Sequence, residues 1–226
     1  MNIDVQLIEK VVKKVLTDVE SACPADDYTY GIFETMDDAI EASAKAQKEY
    51  MNYSMSDRQR FVEGIREVVC QKENLEYMSK LAVEESGMGA YEYKLIKNRL
   101  AAEKSPGIED LTTEALSGDD GLTLVEYCPF GVIGAIAPTT NPTETVICNS
   151  IGMLAGGNTV VFSPHPRSKG VSIWLIKKIN AKLEELGAPR NLIVTVKEPS
   201  IENTNIMMQH PKVRMLVATG GPRSEE

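Results

Sequence analysis

Residues 130–166 read FGVIGAIAPTTNPTETVICNSIGMLAGGNTVVFSPHP, a segment in which two short apolar runs flank a longer stretch. The runs VIGAIAP and NTVVFSP are almost continuously apolar and rich in β-branched residues. That pattern is typical of strands covered on both faces of a parallel sheet. The stretch PTETVICNSIGMLAGG between them has the length of a crossover helix. This segment therefore predicts a strand–helix–strand unit.

The same alternation continues toward the C-terminus. Two helical stretches, SKGVSIWLIKKINAKLEELG and SIENTNIMMQH, separate the further apolar runs NLIVTV and VRMLVAT. Strands and helices in strict succession predict parallel strands joined by right-handed crossovers. The sequence thus predicts an α/β fold with a Rossmann-like parallel sheet over residues 130–222.

The region before the sheet predicts helices and one ribbon. Four stretches with helical apolar spacing occupy residues 36–105, and the third stops at Gly87, a residue typical of helix C-termini. Apolar and polar residues alternate in residues 121–129, which predicts an exposed antiparallel ribbon. These parts and the sheet form one predicted nucleotide-binding domain, residues 36–222.

Residues 1–20 carry apolar side chains along one helical face and lysines on the other. Residues 21–35 contain a proline and paired aspartates, which indicates a linker. An amphipathic helix on a linker can dock onto a partner, a helix-in-groove mode of recognition. The alternative is a helix that folds back on its own domain or pairs in an oligomer.

Composition excludes several function classes. The chain has 24 basic and 33 acidic residues and a net charge of -9, which argues against binding duplex nucleic acid and gives no support for an anionic membrane surface. No apolar run approaches the ~18–20 residues that span a bilayer. The four cysteines, Cys23, Cys70, Cys128 and Cys148, form no CxxC pair, so no metal site is predicted and reduced, cytoplasmic thiols are expected.

Ligands of open parallel sheets bind beyond the carboxyl ends of the strands. The loops expected there are residues 137–142, 163–166, 196–199 and 218–222, all rich in small residues, proline or glycine. No GxGxxG motif follows the first strand, which disfavours an ordinary dinucleotide-binding dehydrogenase.

The segment of residues 130–166 resembles the aldehyde dehydrogenase superfamily, in which a strand ends in a Pro-x-Asn-x-Pro-like sequence and a helix leads into Ala-Gly-Asn-x-Val-Val. Asn-Pro-Thr-Glu-Thr, Cys-Asn-Ser and Phe-Ser-Pro-His-Pro are similar to the CoA-acylating branch, which includes propionaldehyde and acetaldehyde dehydrogenases of bacterial microcompartments. KNRLAAEKSPGIEDL and MLVATGGP resemble the same branch. The resemblance extends to about residue 222.

The resemblance implies an oxidoreductase that converts a short aldehyde, coenzyme A and NAD+ to acyl-CoA and NADH, with NADP as the alternative cofactor. A cysteine thiolate would attack the aldehyde, and the developing oxyanion needs a preplaced donor. Asn141 matches that donor. Its alternative role is a turn residue that caps the next helix.

The resemblance also implies three groups of cofactor contacts. Pro138, Thr139 and Thr140 would line the nicotinamide-ribose side. A second group stands where the superfamily often has a Lys and a Glu on the adenine ribose, and this sequence departs from that pair. The third group would present backbone N–H groups to the pyrophosphate at a helix start. The second group is Ser163, Pro164, His165 and Pro166; the third is Thr219, Gly220 and Gly221.

None of the four cysteines has the Gly/Asn-rich context of the family's nucleophile, which the resemblance places in a later domain. Residues 223–226 depart from the family pattern and are interpreted as a non-native tail. We therefore expect a truncated, inactive amino-terminal part of a homo-oligomeric enzyme. In microcompartment members, the helix at residues 1–20 would dock to a shell protein. The alternative function is a non-catalytic cargo or assembly module.

Overall fold

A computed structural model describes residues 29–220, so the predicted docking helix, most of the predicted linker and residues 221–226 lie outside the described residues. The described part contains seven strands, seven α-helices and short 3₁₀ turns at Ile108–Asp110 and Pro166–Ser168. The elements in chain order are β1 (Ile32–Phe33), α1 (Met36–Tyr50), α2 (Met55–Cys70), α3 (Lys72–Ser86), α4 (Tyr91–Lys104), β2 (Glu114–Gly118), β3 (Gly121–Val125), β4 (Val132–Ala137), α5 (Pro142–Ala155), β5 (Thr159–Pro164), α6 (Lys169–Glu185), β6 (Ile193–Val196), α7 (Ile201–Gln209) and β7 (Val213–Ala218).

Five strands form one parallel sheet in the order β1-β6-β5-β4-β7. The predicted α/β class is therefore confirmed. Strands β4 and β5 pair from Val132 opposite Thr159 to Ala137 opposite Pro164. Because the strands are parallel and in this register, the loops that follow Ala137 and Pro164 leave the sheet side by side.

Two strands lie where none was predicted. Strand β1 falls inside the predicted linker of residues 21–35, and Ile32 and Phe33 pair with Thr195 and Val196 at the edge of the sheet. Strand β2 pairs antiparallel with β3 and completes a two-stranded hairpin, all of whose strand residues are exposed. The alternating pattern had indicated only the second strand of this ribbon, because β2 itself has little apolar character.

The helical region follows the local capping chemistry of the sequence. Helix α2 begins after Ser54, whose hydroxyl accepts from the Asp57 backbone N–H while the Asp57 carboxylate accepts from the Ser54 backbone N–H. This reciprocal pair is a capping box. Helix α3 ends at Gly87 with φ 66°, a left-handed conformation that glycine adopts without steric cost.

Apolar side chains cover both faces of the sheet, as predicted. On one face Val160 and Phe162 of β5 pack with α2, α5 and α6, and on the other Val161 packs with Met36 of α1 and Met207 of α7. Successive side chains of a strand point to opposite faces, so the central strand β5 contributes to both layers. This rigid centre holds the carboxyl ends of the strands in place.

Phe162→Ala removes a fully buried ring from the central strand. We expect the free energy of unfolding to fall by about 3–5 kcal/mol, because such a truncation loses transfer free energy and leaves a cavity. Urea denaturation followed by circular dichroism measures the change. The control Leu124→Ala removes a side chain that is 62% exposed on β3, and a change of comparable size there would contradict the placement of the core.

Candidate functional site

The first loop of the site connects β4 to α5. Thr139 is buried, Pro138 and Asn141 are half-buried and Thr140 is exposed. Helix α5 begins at Pro142, a residue suited to the first helical position because its missing N–H needs no partner there. The loop therefore leaves the sheet at its carboxyl edge and turns at once into a helix.

Asn141 occupies the N-cap position of α5 but does not cap the helix with its side chain. Its backbone carbonyl accepts the first helical hydrogen bond from the Thr145 N–H at 3.1 Å. Its side-chain oxygen Oδ1 accepts instead from Lys97 Nζ of α4. Among residues 29–220, no atom accepts a hydrogen bond from Asn141 Nδ2. Asn141 is thus the N-cap residue of α5 without a side-chain cap, and its amide retains a donor.

A buried ion pair lies behind this loop. Lys94 Nζ of α4 lies 3.1 Å from Glu144 Oε1 of α5, and the two side chains are only 3% and 9% exposed. Lys94 Nζ also donates to the carbonyl oxygen of Thr140 at 2.6 Å, and the Thr143 hydroxyl donates to Glu144 Oε2 at 3.1 Å. Lys97 Nζ lies 3.5 Å from Glu144 Oε1. One carboxylate and two ammonium groups thus connect α4 to the loop.

The sequence interpretation missed Lys94, Lys97 and Glu144. A signal was present, since residues three apart share one face of a helix, and the two lysines of YEYKLIK are so spaced. The glutamate lies in the Asn-Pro-Thr-Glu-Thr motif itself. What the sequence could not show was that α4 packs on α5, which brings the two motifs together.

The second loop follows β5, and two of its polar side chains have partners within the chain. The Ser163 hydroxyl is buried and hydrogen-bonded to Thr204 Oγ1 of α7 at 2.7 Å. The exposed His165 ring accepts the Arg167 backbone N–H at Nδ1 over 3.1 Å, which caps the following 3₁₀ turn. Pro164 ends the strand and is buried, and Pro166 opens the turn. Of the polar side chains in this loop, the Ser163 hydroxyl is occupied by Thr204, whereas His165 remains exposed.

The third loop follows β7. The backbone N–H of Thr219 donates to the Ile136 carbonyl of β4 at 3.1 Å and so continues the sheet ladder. That N–H is therefore already used and is not free for a phosphate. Gly220 follows as an exposed residue, and Gly221 lies outside the described residues.

A further charged pair joins the loops after β5 and β6. Lys169, the first residue of α6, pairs with the Glu198 carboxylate in the loop after β6. Both side chains are solvent-exposed to a large extent, at 39% and 73%. The pair places one charge of each sign at the carboxyl edge of the sheet.

The described cysteines are not built as nucleophiles. Burial raises the pKa of the Cys70 thiol, which disfavours the reactive thiolate. Cys148 packs partly buried against the core and lies seven residues after Asn141 on α5, or roughly 10 Å along the helix axis. Cys128 is exposed beyond the hairpin.

In the described part of the chain, no group of three or more His, Cys, Asp or Glu side chains could hold a metal ion. None of the helices between residues 29 and 220 is long and apolar enough to span a bilayer.

The model of the aldehyde dehydrogenase family matches residues 15–225. The chain belongs to the aldehyde dehydrogenase family. Propanal dehydrogenase (CoA-propanoylating) of Citrobacter freundii is 45% identical over 218 residues, which cover 95% of this chain and 46% of that protein.

Solved structures of aldehyde dehydrogenases agree with this assignment. A Rhodopseudomonas palustris propionaldehyde dehydrogenase with bound propionyl-CoA is 71% identical with a TM-score of 0.85, covering 88% of this chain and 44% of that one. A propionaldehyde dehydrogenase from the Clostridium phytofermentans fucose utilisation bacterial microcompartment is 49% identical with a TM-score of 0.82, covering 85% and 44%. The resemblance to CoA-acylating members is confirmed, and the chain spans about half the length of these relatives.

Lys94→Met leaves Glu144 buried without its closest cation. We expect the free energy of unfolding to fall by about 3 kcal/mol, the low end for a broken buried pair, because Lys97 still lies near the carboxylate. Urea denaturation provides the measurement. Lys80→Met serves as the control, since its pair with Glu84 is exposed and should contribute under about 0.5 kcal/mol. Equal effects of the two variants would contradict a buried role for Lys94.

Proposed function

We propose that this chain is the amino-terminal, cofactor-binding part of a CoA-acylating aldehyde dehydrogenase that converts a short aldehyde, coenzyme A and NAD+ to acyl-CoA and NADH. The observation that carries the proposal is the Asn141 amide. It stands at the carboxyl edge of the sheet with its oxygen held by Lys97 and its nitrogen unengaged within residues 29–220. The relatives named propanal dehydrogenase (CoA-propanoylating) and propionaldehyde dehydrogenase support the reaction class.

In this reaction a cysteine thiolate adds to the aldehyde carbonyl, and the carbonyl oxygen becomes an oxyanion. The Asn141 N–H donates to that oxygen, where charge develops in the transition state. A nicotinamide cofactor would supply the hydride acceptor, so that the tetrahedral adduct, on losing hydride from its carbon, would become a thioester on the sulfur. The coenzyme A thiol then displaces the enzyme sulfur and carries away the acyl group. Asn141 acts in both halves, because each passes through a tetrahedral oxyanion.

The first loop fits a nicotinamide nucleotide. Thr139 Oγ1 is buried and has no hydrogen-bond partner among the described residues, so the loop holds an unsatisfied polar group that a bound nucleotide would satisfy once it displaced the atoms covering it. Pro138 and Thr140 would lie beside it. The second loop, Ser163 to Pro166, would shape the adenine side through its backbone, and Thr219 to Gly221 would border the pyrophosphate. NAD is the proposed cofactor, with NADP as its competitor in the binding test below.

Two partners are proposed for the whole enzyme. The exposed hairpin bears Leu116, Leu122 and Leu124, which are 60%, 65% and 62% exposed, and such a ribbon would be covered in a homo-oligomer. Residues 1–20 would dock to a shell protein, which places the enzyme inside a bacterial microcompartment within the cytoplasm. The Clostridium relative named for such a compartment supports this location. The alternative function, a non-catalytic cargo or assembly module, would bind the same two partners but would not catalyse the reaction.

Asn141→Ala, made in a full-length enzyme that carries this sequence as its amino-terminal part, removes the proposed donor. We expect kcat for propanal to fall by about 10²–10³-fold, the range seen when one oxyanion donor is lost. NADH formation at saturating coenzyme A gives the rate. The matched control Asn52→Ala removes an exposed amide that contacts its own helix end, and its rate should stay unchanged. An unaltered kcat for the Asn141 variant would contradict its proposed role as the oxyanion donor.

The 226-residue chain alone should form no NADH from propanal, coenzyme A and NAD+, because its described cysteines are not placed for attack. Binding of NAD+ and NADP+ is best followed by backbone amide shifts of Thr139 and Thr140. Trp174 fluorescence is a poorer reporter, since its ring packs on Tyr77 with centroids 4.7 Å apart. If this chain turned over and substrate labelled one of its thiols, the proposal that the nucleophile belongs to another part of the enzyme would be wrong.

A further inference from the structure

We propose that Lys97 is the positioning residue of the Asn141 amide: it selects the rotamer that points Nδ2 outward and strengthens that N–H as a donor. The inference deepens the proposed function, on which it rests, by assigning the group that prepares the oxyanion donor. It arises from the hydrogen bond between Lys97 Nζ and Asn141 Oδ1, which joins α4 to the residue before α5.

An asparagine amide has a donor side and an acceptor side, and a half-turn about its last bond exchanges them. An ammonium group can only donate hydrogen bonds, so it stabilises the orientation in which the amide oxygen faces it and disfavours the orientation in which the NH₂ group faces it. With Oδ1 facing Lys97, Nδ2 faces away from α4. Without that cation, the reversed orientation would present an oxygen to the developing oxyanion and repel it.

Lys97 is not needed to neutralise Glu144, because that carboxylate is already paired with Lys94. The Glu144 carboxylate already receives Lys94 at 3.1 and 3.4 Å and the Thr143 hydroxyl at 3.1 Å, all buried. Lys97 lies farther from Glu144, at 3.5 Å, and its side chain is 48% exposed. A lysine needed only to neutralise the carboxylate would duplicate Lys94. The additional cation instead leaves the cluster with one net positive charge beside the amide.

That charge also acts through the amide. A hydrogen bond from a cation to Oδ1 draws electron density from the amide, and chained hydrogen bonds strengthen one another in this way. The Nδ2–H group therefore becomes a better donor to an anion. The net charge adds a favourable field at the place where the negative charge appears.

The first test uses the chain as it is, uniformly labelled with ¹⁵N. The side-chain NH₂ resonances of Asn141 are assigned by their loss in Asn141→Ala. In Lys97→Met we expect them to move toward the values of exposed asparagines and to exchange faster with water. Lys97→Arg, which retains a cationic donor, should restore most of the wild-type position. Lys80→Met on α3 should leave them in place. The melting temperature should hardly change, because Lys97 is half exposed.

The second test measures turnover in a full-length enzyme that carries this sequence. Lys97→Met should lower kcat for propanal about tenfold, the order of one charge-assisted hydrogen bond, with KM for propanal and NAD+ nearly constant. Lys97→Arg should recover most of that loss. Unchanged Asn141 resonances and unchanged kcat in Lys97→Met would overturn the inference even if Asn141→Ala is inactive. If Asn141→Ala retains full kcat, the oxyanion role itself fails, and Lys97 has no donor to position.

Discussion

A lysine and a glutamate removed from water join helix α4 to helix α5 and to the loop that follows β4. Burying an ion pair is costly unless every remaining donor and acceptor is satisfied. Here the Lys94 ammonium group contacts the Glu144 carboxylate and the Thr140 carbonyl, and the carboxylate also accepts from Thr143. The contact therefore fixes three things at once: the packing of α4 on α5, the path of the loop after β4, and the direction in which that loop presents its side chains.

The sheet supplies the other half of the geometry. Parallel strands bring their carboxyl ends to one edge, and the register of β4 with β5 sets Ala137 beside Pro164. The loops that follow are thus neighbours however far apart they lie in sequence. The side chains of the two loops differ in the contacts they make. The Ser163 hydroxyl ties β5 to α7 and the His165 ring caps a turn, so the chemistry of the edge is concentrated in the first loop.

Most of the fold could be predicted from periodicity, because buried parallel strands and amphipathic helices leave strong patterns. The continuous apolar runs predicted β4, β5, β6 and β7, and the glycine at position 87 marked a helix end. The misses have physical reasons. Strand β1 has two residues, too few for any pattern, and exists only because β6 offers it a partner. The Lys94–Glu144 contact joins residues 50 positions apart, so it depends on tertiary packing that local sequence does not encode.

Among the described residues, strand β7 forms an outer edge of the five-stranded sheet. Within the described residues β7 pairs on one side only, with β4, and its side chains Met215 and Leu216 are 39% and 42% exposed. A strand with unpaired backbone groups and apolar flanks is a template on which another polypeptide can extend the sheet. A strand supplied by the rest of a longer protein, or by a peptide designed to complete the ladder, would pair at this border and extend the sheet.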